Sequence, residues 1–267
     1  MRIAFIGGGN MGEAIIRGIL DRGLAEADDI VASDVSEKRR SYLSQEYGVV
    51  TDSDNRHAVE GAECIVLAVK PVSLAEVMKE LKGFLQPEQL VLSIVAGASV
   101  ASLRDGLSHR AIVRAMPNMP AQIGEGVSVW TATSEVSQKH NKMASSILGA
   151  LGREIFVSDE KYIDMATAVS GSGPAYVLLI IESLIDAAVH IGLPRELAQE
   201  LVLETVLGAT HLSQKSAKHP AELRNLVTSP GGTTAEGLLL LEEGGLRALL
   251  AQAIIAGYEK AKALRGE

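Results

Sequence analysis

Short apolar runs and longer amphipathic stretches take turns along the first part of the chain. Arg2 to Ile6, Ile30 to Ser33, Cys64 to Val69, Leu90 to Val95 and Ala111 to Met116 are apolar runs of strand length. Between them, Ile15, Ile16, Ile19 and Leu20 share one face of a helix that Gly23 ends. Glu37 to Tyr47 and Leu74 to Leu81 read as further helices, and another starts near Ser99. Cys64 to Val69 is apolar almost without interruption, as expected of a strand covered on both faces. This alternation predicts βαβ units and a parallel, doubly wound sheet. Gly126 to Thr131 and Gly152 to Val157 add two strands, separated by a helical stripe of Val136, His140, Met143 and Ile147. His140 on that stripe reads as a half-buried surface histidine.

The first strand runs into Gly7-Gly8-Gly9-Asn10-Met11-Gly12, with glycines at the three positions of G-x-G-x-x-G. A strand before the motif and an amphipathic helix after it supply the context of a dinucleotide-binding turn. There Gly7 allows the tight turn, Gly9 lets backbone approach a pyrophosphate, and Gly12 lets helix pack on strand. Asp34 ends the second strand about twenty residues on, where an acid can hold the adenosine ribose hydroxyls. The strand ends at Gly7, Asp34, Lys70 and Gly97 are predicted to share one edge of the sheet.

Beyond about Ser158 the strand-like runs stop and every segment has helical period, so a boundary is predicted between Ser158 and Lys161. The expected architecture is an α/β, Rossmann-like NAD(P)-binding domain (residues 1–159) followed by an all-α domain (160–267). Ser170-Gly171-Ser172-Gly173-Pro174 reads as a small-residue break, with Pro174 at a helix N1 position. The helix from Ala175 to Ile191 is apolar nearly all round; its polar stripe is Glu182, Asp186 and His190. Such a helix must be buried against several others, which in a small helical domain predicts a subunit interface and an obligate dimer. A further helix follows Pro194, and the last carries Leu246, Leu249, Leu250, Ala253, Ile254, Gly257, Ala261 and Leu264 on one face.

Ser229-Pro230-Gly231-Gly232-Thr233-Thr234 lies between these helices. Thr233 and Glu236 have capping-box spacing, so a helix is expected to open at Thr233. A Gly-Gly turn feeding a helix start presents N–H groups at the positive end of a dipole, a site for a small anion such as a carboxylate.

Composition narrows the choice. Net charge is −8 over 267 residues with no basic run, which argues against a nucleic-acid partner. The single cysteine, Cys64, sits in a strand and forms no internal disulfide or zinc cluster; a reducing compartment is expected. MRIAFIGGGN is too short an apolar run for a signal peptide, and the charged stripe on the apolar helix argues against a membrane span, so a soluble, cytoplasmic protein is expected. The six histidines show no metal-ligand pairing, so no metal is expected, and no G-x-S-x-G elbow is present. A hydroxyacid dehydrogenase needs a Lys or His base, and the apolar helix offers neither before His190. The inventory suits a protonated imine, which already accepts hydride and needs an anchor and modest help at nitrogen. A hydroxyacid-type dehydrogenase and a non-catalytic dinucleotide-binding protein are the alternatives.

Leu223 to Thr234, continuing to Leu238 and Glu242, resembles the signature of the pyrroline-5-carboxylate reductase family. So do Ala168 to Tyr176, Ala68 to Pro71, Arg114 to Pro120 and the opening Gly7 to Gly12. The resemblance implies hydride transfer from NADPH or NADH to the C=N carbon of 1-pyrroline-5-carboxylate, the last step of proline synthesis. It also implies a helical domain that dimerises, with higher assembly of dimers, and an active site between the Rossmann edge and a helical region. Carried over by position, Thr234 matches the threonine at the imine nitrogen, and Gly232 and Thr233 match the carboxylate cradle. Ser229, Gly231 and Met119 complete the implied substrate site. The implied cofactor contacts are Ile6, Gly7, Gly9, Asn10, Met11 and Gly12; Ser33 and Asp34; Ala68, Val69, Lys70 and Pro71; and Ala96, Gly97 and Asn118. Asp34 departs from the small or basic residue common in the family. Its charge repels a 2′-phosphate and favours use of NADH, although Lys38, Arg39 and Arg40 lie close enough to offset it.

Overall fold

The computed structural model describes residues 1–265. The first part of the chain forms β1 (Ile3–Ile6), α1 (Asn10–Asp21), β2 (Ile30–Ser33), α2 (Glu37–Tyr47), β3 (Val50–Asp52), α3 (Asn55–Val59) and β4 (Cys64–Leu67). It continues through α4 (Pro71–Leu81), β5 (Leu90–Ser93), α5 (Val100–Leu107), β6 (Ile112–Met116), β7 (Gly126–Ala132), α6 (Gln138–Gly149) and β8 (Gly152–Phe156). The strands form one eight-stranded sheet in the order β3-β2-β1-β4-β5-β6-β7-β8. All neighbours are parallel except β6 and β7. A parallel return needs a long crossover, and the link from β6 to β7 holds only the short 3-10 turn Met119–Ile123, so that pair is antiparallel.

Register aligns the ends of the central strands. Ile6 pairs with Ser33 on one side and Leu67 on the other, and Leu67 pairs with Ser93. Gly7, Asp34 and Ala68 therefore leave the sheet at the same carboxyl edge. Every residue of β1, β2, β4 and β5 is buried. On one face Ile3 and Phe5 pack with Ile15, Ile16, Ile19 and Leu43; on the other Ala4 and Ile6 pack with Leu74, Val77, Leu81 and Leu103. Burying an Ile or Leu side chain on either face stabilises by about 1.5–3 kcal/mol relative to leaving it in water. β3 and α3 have no counterpart in the sequence pattern, because three and five residues are too few for a period to register.

The helical part contains α7 (Lys161–Ala166), α8 (Gly173–His190), α9 (Arg195–Lys215), α10 (Pro220–Leu226), α11 (Thr233–Glu243) and α12 (Leu246–Arg265). The break expected over Ser170–Pro174 is not a loop. Thr167–Gly171 winds as a π-helical turn, and α8 resumes after the single bend residue Ser172. Hydroxyls make this possible: Thr167 donates to the Ile163 carbonyl (2.8 Å) and Ser170 to that of Ala166 (2.9 Å).

Among the described residues two compact units result: Met1–Ser172 together with residues 257–265, and Gly173–Ala256. The boundary expected near 158–161 thus falls ahead of α7, whereas the first unit continues to Ser172. The reason is a buried charge network that sequence spacing does not reveal. Arg114 on β6 binds Glu160 (2.6 Å) and Asp164 (2.7 Å), and Arg265 reaches the other oxygen of Asp164 (3.0 Å). Within 173–256, Ala198 is the one buried residue, and α8 has none. The run Lys161–His190 is long and apolar enough to cross a membrane by length and composition. Burial of α8, expected from its all-round apolarity, is not achieved within a single chain.

Candidate functional site

Gly7 adopts φ +99°, a conformation that favours glycine, and donates its N–H to the Ser33 carbonyl (2.8 Å). A Cβ there would meet the Ala68 carbonyl oxygen at 2.8 Å, and one on Gly12 would meet the Gly7 oxygen at 2.6 Å. Gly9 differs: nothing lies within 4 Å of its Cβ position. It is the N-cap of α1 without a capping side chain, and the first intrahelical bond runs from Glu13 N–H to its carbonyl (2.9 Å). The amides of Asn10, Met11 and Gly12 therefore have no intrahelical acceptor and sit at the positive helix end, which suits a phosphate group.

Asp34 is woven into the same loop. Its Oδ2 accepts from Gly8 N–H (2.9 Å) and its Oδ1 from Ser36 N–H (2.8 Å). Ser33 donates to Asn55 Oδ1 (2.6 Å), and Asn55 Nδ2 donates to Glu80 (2.6 Å). A cavity of ≈ 470 Å³ brings together Gly7, Gly9, Ser33, Asp34, Ala68, Val69 and Lys70 with Val35, Asn55, Ser73, Glu76, Val77 and Glu80. Asn55, Glu76 and Glu80 were not among the expected site residues; Asn55 opens the short α3, so no periodicity pointed to it.

The remaining expected residues stand outside that cavity. Ile6 is a buried strand end; Asn10, Met11 and Gly12 form the first turn of α1; Pro71 is the first residue of α4. Ala96 and Gly97 follow β5, and the Cβ position of Gly97 lies 3.1 Å from Leu264. Met119, half exposed, begins the 3-10 turn. Asn118 uses its side chain within the chain. Its Oδ1 accepts from Val127 N–H (2.9 Å) and its Nδ2 donates to the Ser170 carbonyl (3.1 Å). Pro174 has no N–H to give that carbonyl, so Asn118 takes the place of the missing helical donor. A second cavity, ≈ 590 Å³, lies at the amino edge of the sheet around Glu63, Gln89, Lys139 and His140. Burial and the neighbouring Lys139 push the His140 imidazole below its ordinary value. Its one glycine, Gly61, sits in an isolated turn that opens no helix, and doubly wound sheets bind ligands at the other edge.

In the second unit, the Ser229–Gly232 turn is closed by Gly232 N–H to the Ser229 carbonyl (3.1 Å), with Gly231 left-handed at φ +68°. Pro at the second position and a left-handed Gly at the third are the pattern of a type II turn. A Cβ on Gly232 would meet the Ser229 hydroxyl at 2.5 Å. Two expectations change here. Gly232, not Thr233, is the N-cap of α11, so no Thr233–Glu236 capping box forms; the capping box found nearby is His219–Glu222 on α10. The Gly232 amide is spent on the turn, so the open donors lie one residue later. Ala235 N–H is bonded to the Gly232 carbonyl (3.0 Å), leaving the Thr233 and Thr234 amides without intrahelical acceptors. Among the described residues, no partner takes either threonine hydroxyl.

Residues 160–264 match the family described as pyrroline-5-carboxylate reductase dimerisation, and residues 2–97 the family described as NADP oxidoreductase coenzyme F420-dependent. A pyrroline-5-carboxylate reductase from Synechocystis is 40% identical over 264 residues, covering 99% of this chain and 98% of that one. The chain belongs to the pyrroline-5-carboxylate reductase family. A family member from Pseudomonas aeruginosa is 41% identical, covering 98% of this chain and 96% of its own. The crystal structure of Plasmodium falciparum pyrroline carboxylate reductase with NADP bound superposes with a TM-score of 0.92 at 34% identity, covering 99% of this chain and 98% of that one. The Rossmann-like sheet followed by a helical dimerisation domain is thus the architecture of the family, and a cofactor of the NAD(P)H class goes with it.

Proposed function

We propose that this chain reduces the C=N bond of 1-pyrroline-5-carboxylate to give L-proline, as an NAD(P)H-dependent pyrroline-5-carboxylate reductase. The observation that carries this reading is the Ser229–Thr234 turn. It offers two free amides and two free hydroxyls at a helix N-terminus, and no strong base. Hydride from the reduced nicotinamide adds to the imine carbon, and the ring nitrogen keeps or gains one proton. The chain's own work is binding and orientation. The α1 N-terminus and the Gly7–Gly12 turn hold the pyrophosphate, and Asp34 holds the adenosine ribose hydroxyls. Ala68 to Pro71, Ala96, Gly97 and the Asn118 backbone flank the nicotinamide. The Thr233 and Thr234 amides hold the substrate carboxylate at the positive end of the α11 dipole. The Thr234 hydroxyl hydrogen-bonds at the ring nitrogen, and Ser229 closes the turn that presents it.

The reading is tested by following cofactor oxidation with 1-pyrroline-5-carboxylate and then with hydroxyacid and ketoacid substrates. Turnover with the imine alone is expected; no turnover with it under either cofactor would sink the proposal.

We also propose that NADH is the better cofactor. Asp34, Glu76 and Glu80 line the cavity against the single cation Lys70. Asp34→Ser is expected to raise kcat/KM for NADPH relative to NADH by about tenfold, one charge contact's worth; an unchanged ratio removes Asp34 from this role. Finally, two copies pair through residues 160–264, dimers assemble further, and the apolar face of α8 meets a partner chain in the cytoplasm and not a lipid bilayer.

A further inference from the structure

Three cations follow Asp34, and the structure separates their fates. Lys38 is exposed to solvent. Arg40 donates to the Asp34 backbone carbonyl (2.6 Å). Arg39 is the one aimed at the glycine turn: its Cγ and the Asp34 carboxylate each lie 3.6 Å from the Cβ position of Gly8. Its guanidinium is nevertheless held on two edges and one face. Nε donates to the Gly8 carbonyl and Nη2 to Glu13 Oε2, and the group stacks 4.9 Å over the Tyr42 ring. Glu13, on the first turn of α1, is held in turn by the Tyr47 hydroxyl (2.7 Å) and the Tyr42 hydroxyl (3.0 Å) on its other oxygen. Burial raises the Glu13 carboxyl, but the hydrogen bonds from Arg39, Tyr47 and Tyr42 outweigh it and leave it below the usual carboxylate range. Glu13 is therefore ionised at neutral pH and stays bound to Arg39.

We infer that Glu13 is a cofactor-specificity residue: by holding Arg39, it keeps that guanidinium from a phosphate on the adenosine ribose. This rests on the dinucleotide reading of the Gly7–Gly12 turn. It adds to the Asp34 effect a second, separable device, in which the cation that could offset Asp34 is withheld by an acid from another helix.

The experiment measures dissociation constants for NADH and NADPH without substrate, by fluorescence titration or calorimetry. The ratio of the two constants cancels any gain common to both cofactors from losing a charge near the pyrophosphate. Glu13→Gln is expected to shift this ratio about tenfold toward NADPH, the size of one charge-assisted hydrogen bond. The shift is expected to vanish in Glu13→Gln/Arg39→Met. Arg39→Met alone is expected to leave the ratio within about twofold, since a withheld group has no contact with the ribose phosphate to lose, and any loosening of the Gly8 turn acts on both cofactors. An unchanged ratio in folded Glu13→Gln overturns the inference. If that variant does not fold, a selective tenfold loss of NADPH binding in Arg39→Met overturns it as well, because Arg39 would then already reach the phosphate. Failure of the parent chain to bind either cofactor overturns the dinucleotide reading and the inference with it.

Discussion

Among the described residues no partner takes the Thr234 hydroxyl, so the role open to it is hydrogen bonding to a ligand. A substrate that needed a hydroxyl proton removed would be poorly served; an imine would not. Thr234→Ala is therefore expected to lower kcat by about a hundredfold, the lower end of what a positioned proton partner contributes. Cofactor binding, measured separately by titration, is expected to stay unchanged. Equal kcat would remove Thr234 from the reaction. Cys64 shows the opposite case, a reactive residue type made inert by its place. It is fully buried in β4, and burial pushes its thiol up from 9.0 to about 12. The neutral thiol is favoured in the fold, so this contribution to stability is complete below pH 9 and is lost as pH rises from there toward 12. A thiol reagent at pH 8 is expected to label Cys64 only after unfolding in denaturant; fast labelling of the native protein would contradict its burial.

At the scale of elements, the chain uses side chains to repair backbone bonds that its own sequence breaks. Pro174 denies Ser170 a helical donor, and Asn118 supplies one across the sheet edge while accepting from Val127. Asn118→Ala would leave the half-buried Ser170 carbonyl and Val127 amide without their partner, at about 1 kcal/mol each, the lower end for a stranded group. Its denaturation midpoint is expected to fall with the m-value unchanged, and a midpoint equal to that of the parent would show the brace to be dispensable. The Ser229–Gly232 turn works by the same economy of groups. It consumes the Gly232 amide to close itself and so moves the open donors to Thr233 and Thr234. The Arg114 network joins β6 to α7 and to the end of α12 through buried ion pairs.

For the whole molecule, the decisive quantity is the apolar surface that one chain leaves uncovered. Leu179 in α8 is 62% exposed and Ile180 39%, and no residue of that helix is buried. With residues 160–264 matching a dimerisation family, a second copy is the partner that would cover it. Leu179→Lys is expected to weaken self-association by about 2 kcal/mol or more, roughly thirtyfold in dimer Kd, if it sits in the interface centre. Light scattering across a dilution series would show monomer at concentrations where the parent stays dimeric. A parent chain that is monomeric throughout would overturn the dimer.

By itself the sequence determined the strands and helices whose pattern repeats along them. Ile30–Ser33 and Glu37–Tyr47 have the bounds that pattern alone assigns them. The glycine turn is legible because strand, glycines and helix follow one another directly. What tertiary structure alone decided depends on groups brought together from far apart in the chain. Residue pairs such as Glu13 with Arg39, Asn118 with Ser170 and Arg114 with Asp164 are separated by 26, 52 and 50 positions, and no local spacing encodes them. Which amide the Ser229–Gly232 turn leaves open is settled locally instead, by a bond between residues three positions apart. Periodicity reports which face of an element seeks burial, whereas a hydrogen bond is settled only when its donor and acceptor share a place.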